Sequence, residues 1–182
     1  MTDLRSAPVP PVGPGDHVRG PDGAPAVVMY ADFTCPRCAL AWERLDGAAV
    51  RLVFRHLALK AKHPRAVALA CAAEAAAAQG AFWAFAASVY ADPGRVDDPH
   101  LWARCETLGL DVERFQADRR APAATSRVAA DVRAALRAGA TVTPTFFAAT
   151  GPPGAAAEAH PGPPDAQTVA RWAAGPGIPA NG

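Results

Sequence analysis

The sequence predicts an α/β fold in which the two ends of the chain form one sheet and a block of helices is inserted between them. Three observations carry this. The apolar run AVVMYADF at 26–33 opens a strand–helix–strand unit with short joints. Ala-rich and amphipathic helical segments fill the middle. The chain then closes with TPTFFAAT, GAAAEAH and PDAQTVARWAAG, which read as strand, weak edge strand and helix.

The run at 26–33 follows a Gly-Ala-Pro breaker and has no polar alternation, which suits a central strand buried on both faces. A helix follows, with Thr34 as the expected cap and Pro36 in its first turn, where a missing N–H costs nothing. Cys38, Trp42 and Leu45 share one face of it, and Gly47 ends it. VRLVFRHLAL at 50–59 is the second strand, parallel to the first with a right-handed crossover. The helical block runs through Pro64 to Gln79, AFWAFAASVYA, DDPHLWARCETLGL, DVERFQADRR and TSRVAADVRAALRAG. In the last, Val128, Val132 and Leu136 form the apolar stripe, Arg127 and Asp131 stand at pairing spacing, and Gly139 stops the helix. The expected organisation is a flexible Pro/Gly-rich lead-in at 1–15, a sheet domain in two segments at 16–61 and 140–175, a helical insertion at 62–139, and a frayed tail at 176–182.

Composition narrows the function. With 182 residues the chain buries a core without structural disulfides, and four cysteines are too few for a disulfide scaffold. A formal net charge of +1 predicts no attraction to nucleic acid or anionic lipid. No apolar run is long enough to span a bilayer, and MTDLRSAPVPPVGPGDH does not read as a signal peptide. The expectation is a cytoplasmic protein, in a compartment that keeps thiols reduced.

The chemistry concentrates in YADFTCPRCALAW, residues 30–42. A Cys-x-x-Cys at the start of a helix places its first thiol where backbone N–H groups and the helix dipole favour negative charge. That lowers a thiol from about 8.5 into the range of about 3.5–7.5. The thiolate is both the attacking species and the better leaving group. By position Cys35 is the exposed nucleophile and Cys38, on the Trp42/Leu45 face, the more buried resolving thiol. Arg37 adds a positive charge beside Cys35. Two rival readings stand beside this one. A zinc site needs about four N/S ligands, and the remaining cysteines, Cys71 and Cys105, lie singly on apolar helical stripes with no His at ligand spacing. An inert buried pair conflicts with Pro36 and Arg37, which argue for an exposed turn. Cys71 and Cys105 themselves read as small hydrophobes of helix cores.

Thr143-Pro144 is the second constellation. Proline cannot donate to a sheet ladder, so one at the mouth of a strand is either an ordinary trans strand entry or a cis bond that turns the preceding residue outward. Arg55 and His56 read as a polar pair at a strand end, and Trp42, Trp83 and Phe82 as core.

These residues together resemble the DsbA-like thiol–disulfide oxidoreductases of the thioredoxin fold, in particular a bacterial branch with an inserted helical domain. The resemblance rests on DHVRGPDGAPAVVMYADFTCPRC, VFRHLAL, HPRAVALACAAEAAAAQGAFWAF, LGLDVERF and TVTPTFF, from about Asp16 to Phe147 and in the family's order. HPGPPDAQTVARW fits more loosely. The likeness implies a mixed central sheet (βαβ … ββα), Cys35 as nucleophile and Cys38 as resolving thiol in an active-site turn with Thr34, Pro36 and Arg37. It also implies that Pro144 is a cis-proline facing the disulfide, and that the Thr143 backbone pairs with a substrate peptide. Substrates would be disulfide-containing proteins or low-molecular-weight thiols, served by a redox partner, with no cofactor, metal, nucleic acid or membrane involved. Two features depart from the family. Met29 stands where a buried carboxylate often helps shuttle the resolving thiol's proton, leaving water, Asp32, Arg55 or His56 for that task. AATGPPG replaces the usual Asn-Gly turn after the cis-proline strand. Two other functions fit the same scaffold: a redox-silent module binding peptides or a partner, and a thiol-cofactor-dependent isomerase or transferase. Relatives of the last kind typically carry Ser at the first cysteine position.

Overall fold

The structure, a computed structural model, describes residues 6–152 and 156–180. Five strands, β1 (His17–Arg19), β2 (Ala26–Ala31), β3 (Arg51–His56), β4 (Thr145–Ala148) and β5 (Glu158–Pro161), form one sheet in the order β1-β3-β2-β4-β5. The central pair β2/β3 is parallel, as the strand–helix–strand reading requires, with Ala26 opposite Arg51 and Ala31 opposite His56. The other pairings are antiparallel, so the sheet is mixed. Every residue of β2 is buried, which explains its unbroken apolar run.

Each face of the sheet carries its own core. Met29, Phe54 and Phe146 lie on one side with Phe33, Cys38, Phe82 and Trp172. Val28, Tyr30, Val53 and Phe147 lie on the other with Ala135 and Ala138. Helix α1 (Pro36–Arg44) is the crossover between β2 and β3. Five helices follow: α2 (Ala66–Ala77), α3 (Phe82–Ala91), α4 (Asp98–Thr107), α5 (Val112–Asp118) and α6 (Pro122–Arg137). The final helix, α7 (Ala166–Ala173), puts Trp172 against Phe146 with ring centroids 5.0 Å apart.

Several sequence expectations change on contact with the structure. The short edge strand β1 was legible only as the point where order begins. Thr34 is not the cap of α1; that position belongs to Cys35. The stripe of α6 runs through Val128, Asp131 and Ala135, while Leu136 is 45% exposed. Asp131 can be buried because its carboxylate accepts the His56 backbone N–H at 3.0 Å and lies 3.4 Å from Arg127. The described part of the lead-in, from Ser6, is tied down. Arg55 binds both carboxylate oxygens of Asp16 at 2.8 and 2.7 Å and donates to the carbonyls of Pro10 and Pro11 at 2.9 and 2.8 Å. Val12 donates to the Pro179 carbonyl, bridging lead-in and tail, and Ile178 is buried. The expected edge segment GAAAEAH appears as β5; Gly154 and Ala155 lie outside the described residues, as do residues 1–5 and 181–182 of the two ends.

Candidate functional site

The site begins where β2 stops. Asp32, one residue past the strand, is 2% exposed, and its Oδ1 accepts from the Thr34 N–H at 2.8 Å and the Thr34 hydroxyl at 2.6 Å. This is an Asx-type turn, and it spends the Thr34 hydroxyl that could have capped the helix. Cys35 is extended at φ −91°, ψ 116°, and Pro36 starts α1 behind it. With no side-chain cap, the first-turn N–H groups are left for the Cys35 sulfur.

Cys35 and Cys38 are free thiols 3.6 Å apart. Both are more enclosed than their exposed turn residues Pro36 and Arg37 suggest: Cys35 is 7% exposed and Cys38 fully buried. Their acidities are driven apart. The Cys38 thiol donates to Cys35 and, with the Thr143 contact and the Cys38 and Arg37 backbone N–H groups, overcomes burial to bring Cys35 down to about 5. Arg37 thus acts on Cys35 through its backbone N–H more than through its charge. Cys38 moves far upward, first because burial penalises its thiolate, then because it donates to Cys35 and stands near the Asp32 charge.

Thr143 and Pro144, both buried, close the other side across a cis peptide bond. The Thr143 carbonyl lies 3.5 Å from the Cys35 sulfur. Behind Cys38, the Asp32 backbone N–H reaches its sulfur at 3.5 Å, and the Tyr90 hydroxyl donates to the Asp32 carbonyl at 3.4 Å. Asp32 Oδ2 is buried with no hydrogen-bond partner among the described residues. Cys71 and Cys105 are buried on α2 and α4, where burial raises both thiols, Cys105 to about 11.

The structure therefore brings Cys35, Cys38, Pro36, Arg37, Thr143 and Pro144 together, with Thr34 in the turn. Arg55 is not part of this site; it serves the lead-in. The sequence reading missed Tyr90, and it missed His17 and Glu74, which join His56 in a second polar cluster. A signal for Glu74 was present: it is the one charge in the helix AVALACAAEAAA.

The family model described as a DSBA-like thioredoxin domain matches residues 50–170. The chain belongs to this DSBA-like family. The match begins after Cys35 and Cys38, so it rests on β3, the helical block, the Thr143-Pro144 strand entry, β4 and β5. Among solved structures, this DSBA-like chain is similar to a thioredoxin-like oxidoreductase from Silicibacter pomeroyi, at 28% identity and a TM-score of 0.73, covering 86% of this chain and 89% of that one. The fold is shared with DsbA2 of Pseudomonas aeruginosa, at 24% identity and a TM-score of 0.69, covering 87% and 93% of the two chains. Among curated proteins, it is 43% identical over 153 residues to a chain named Na(+)/H(+) antiporter NhaA from Herminiimonas arsenicoxydans, covering 80% of this chain and 24% of that one. An NhaA 3 of Salinispora tropica is 46% identical over 147 residues, covering 75% and 22%. The chain thus spans about a quarter of the length of these curated relatives, whose names describe the longer proteins. No helix among the described residues is long and apolar enough to cross a membrane.

Proposed function

We propose that the chain is a thiol–disulfide oxidoreductase in which Cys35 attacks, Cys38 resolves, and Thr143 with Pro144 forms the ledge for an extended substrate. The observation that carries this reading is the pair of free thiols 3.6 Å apart at the start of α1, with the Thr143 carbonyl 3.5 Å from the Cys35 sulfur. Their opposed acidities agree with it. Held near 5, Cys35 is mostly thiolate at pH 7.

In the forward cycle the Cys35 thiolate attacks one sulfur of a substrate disulfide. The new S–S bond is a mixed disulfide, and the displaced substrate thiolate takes a proton from water. Cys38 then loses its proton and attacks the Cys35 sulfur. The mixed disulfide breaks, the second substrate thiol leaves, and Cys35–Cys38 is oxidised as the substrate gains two electrons. The reverse cycle donates the disulfide. Asp32 is the proposed acceptor of the Cys38 proton, in place of the carboxylate that Met29 removes. Its buried, unpartnered Oδ2 and its backbone contact with Cys38 support this.

A stabilised Cys35 thiolate favours the dithiol over the disulfide. At pH 7, lowering a thiol from about 8.5 to about 5 favours it by roughly 2–3 kcal/mol, or about 50 mV for a two-electron couple. This moves the pair toward disulfide donation, against the reducing direction expected for a cytoplasmic location. The test is trapping: Cys38→Ser protein is mixed with disulfide-bonded insulin. The reading expects a mixed disulfide at position 35. Its absence, with wild-type protein also failing to reduce or oxidise a dithiol peptide, would return the chain to a redox-silent binding module.

A further inference from the structure

A second chemical centre lies on the same face of the sheet, built from three elements far apart in sequence. His17 of β1 and His56 of β3 both bring Nε2 to the same oxygen, Oε1 of Glu74 on α2, at 2.7 and 2.8 Å. The three ligand-type atoms lie within 4.8 Å of one another. His56 is fully buried, while the His17 and Glu74 side chains keep 14% and 16% exposure. The cluster is thus open on one side. His17 is fixed by stacking on Phe82, with centroids 3.6 Å apart and the rings 7° from parallel. His56 meets Phe54 and Phe82 edge to face.

From this we infer that His17, His56 and Glu74 form a binding site for a borderline divalent transition-metal ion, zinc in the first instance, with a fourth position open to water.

Two imidazole nitrogens and one carboxylate oxygen with an open position form a donor set suited to zinc. Metal–ligand bonds of about 2.0–2.2 Å place neighbouring ligand atoms roughly 3.3–3.5 Å apart. The hydrogen bonds on Glu74 would open by about 0.6 Å, a small shift for a partly exposed glutamate. In the metal-free cluster each imidazole donates its Nε2 proton to Glu74. On binding, that proton moves to Nδ1 in a neutral ring, or is released from a charged one, and the Nε2 lone pair goes to the metal. His56 Nδ1 has no hydrogen-bond partner among the described residues, and in the bound state it would carry the ring's N–H. A bound ion would tie β1 and β3 to α2, joining the sheet to the helical block. The inference is independent of the redox reading and departs from the sequence expectation, which was that no metal is involved.

The experiment uses the full chain with Cys35–Cys38 oxidised, so that this pair cannot bind metal. Chelator-stripped protein is titrated calorimetrically with Zn²⁺, and separately with Co²⁺ followed by absorption. The expected result is one saturable site, visible cobalt d–d bands and no sulfur-to-cobalt charge transfer. His17→Gln and Glu74→Gln should each weaken zinc by more than about 100-fold, beyond the 10–100-fold cost of losing an outer partner. If either variant fails to fold, the wild-type cobalt spectrum decides. No saturable binding, a thiolate charge-transfer band, or unchanged affinity in folded variants would leave a hydrogen-bonded clasp only and overturn the inference.

Discussion

The backbone N–H of Asp32 lies 3.5 Å from the Cys38 sulfur, and the carboxylate of the same residue ends in a buried oxygen with no hydrogen-bond partner among the described residues. One residue therefore contacts the less acidic thiol through its backbone and carries a buried, unpartnered carboxylate oxygen. Asp32→Asn keeps the Oδ1 contacts to Thr34 while removing the charge. The expected outcome is a normal rate of first attack by Cys35 and a resolving step slower by about 10²-fold, the low end of general-base effects. Quenched-flow separation of the two steps checks it. Equal slowing of both steps would give Asp32 a structural role instead.

How much of this was legible in the sequence depended on whether a feature was local. The β2 run, the α1 turn and the Cys35–Cys38 spacing are set by neighbours in sequence, and the structure keeps them. The Thr34 cap misled because Asp32 competes for the same hydroxyl, a contest that hydropathy does not record. The contacts of Pro10 and Pro11 were not legible because their partner, Arg55, lies 45 and 44 residues away. Separations of 57 and 18 residues likewise hid the contacts of His17 and His56 with Glu74. Leu136 fitted a helical stripe by spacing, but Asp131 is drawn inward by the His56 N–H and the buried face turns with it.

Arg55 should hold the N-terminal segment. Its guanidinium is buried against Asp16, whose carboxyl is lowered despite the opposing effect of burial. Arg55→Ala leaves that carboxylate enclosed without its partner and should cost about 3–5 kcal/mol in urea unfolding. Limited proteolysis should then cut within residues 6–15 first. Arg55→Lys loses the two-pronged contact and should fall between the two.

The stability of the reduced protein should depend on pH through Cys35. Its folded pKa, about 5, lies below its unfolded value of about 8.5. The contribution is therefore full above the unfolded value and is lost as pH falls toward 5. The oxidised protein lacks this titration. Denaturant midpoints across that window should show reduced protein gaining on oxidised protein as pH rises, and parallel curves would contradict it.

Gly20 has φ 121°, and a Cβ there would press on the Val50 carbonyl. Gly20→Ala should destabilise by about 1–3 kcal/mol, from positive φ and backbone contact together. Gly23, also at positive φ but with open space around it, should lose less when changed to Ala. Thermal unfolding of the pair separates crowding from conformation.

The most direct measurement of the central claim is the pH dependence of alkylation at each cysteine of the reduced protein, read by mass spectrometry. The account predicts that Cys35 labels with a midpoint near pH 5 while Cys38, Cys71 and Cys105 stay unlabelled through neutral pH. A midpoint near 8.5 at Cys35, or labelling of Cys38 at an equal rate, would contradict it.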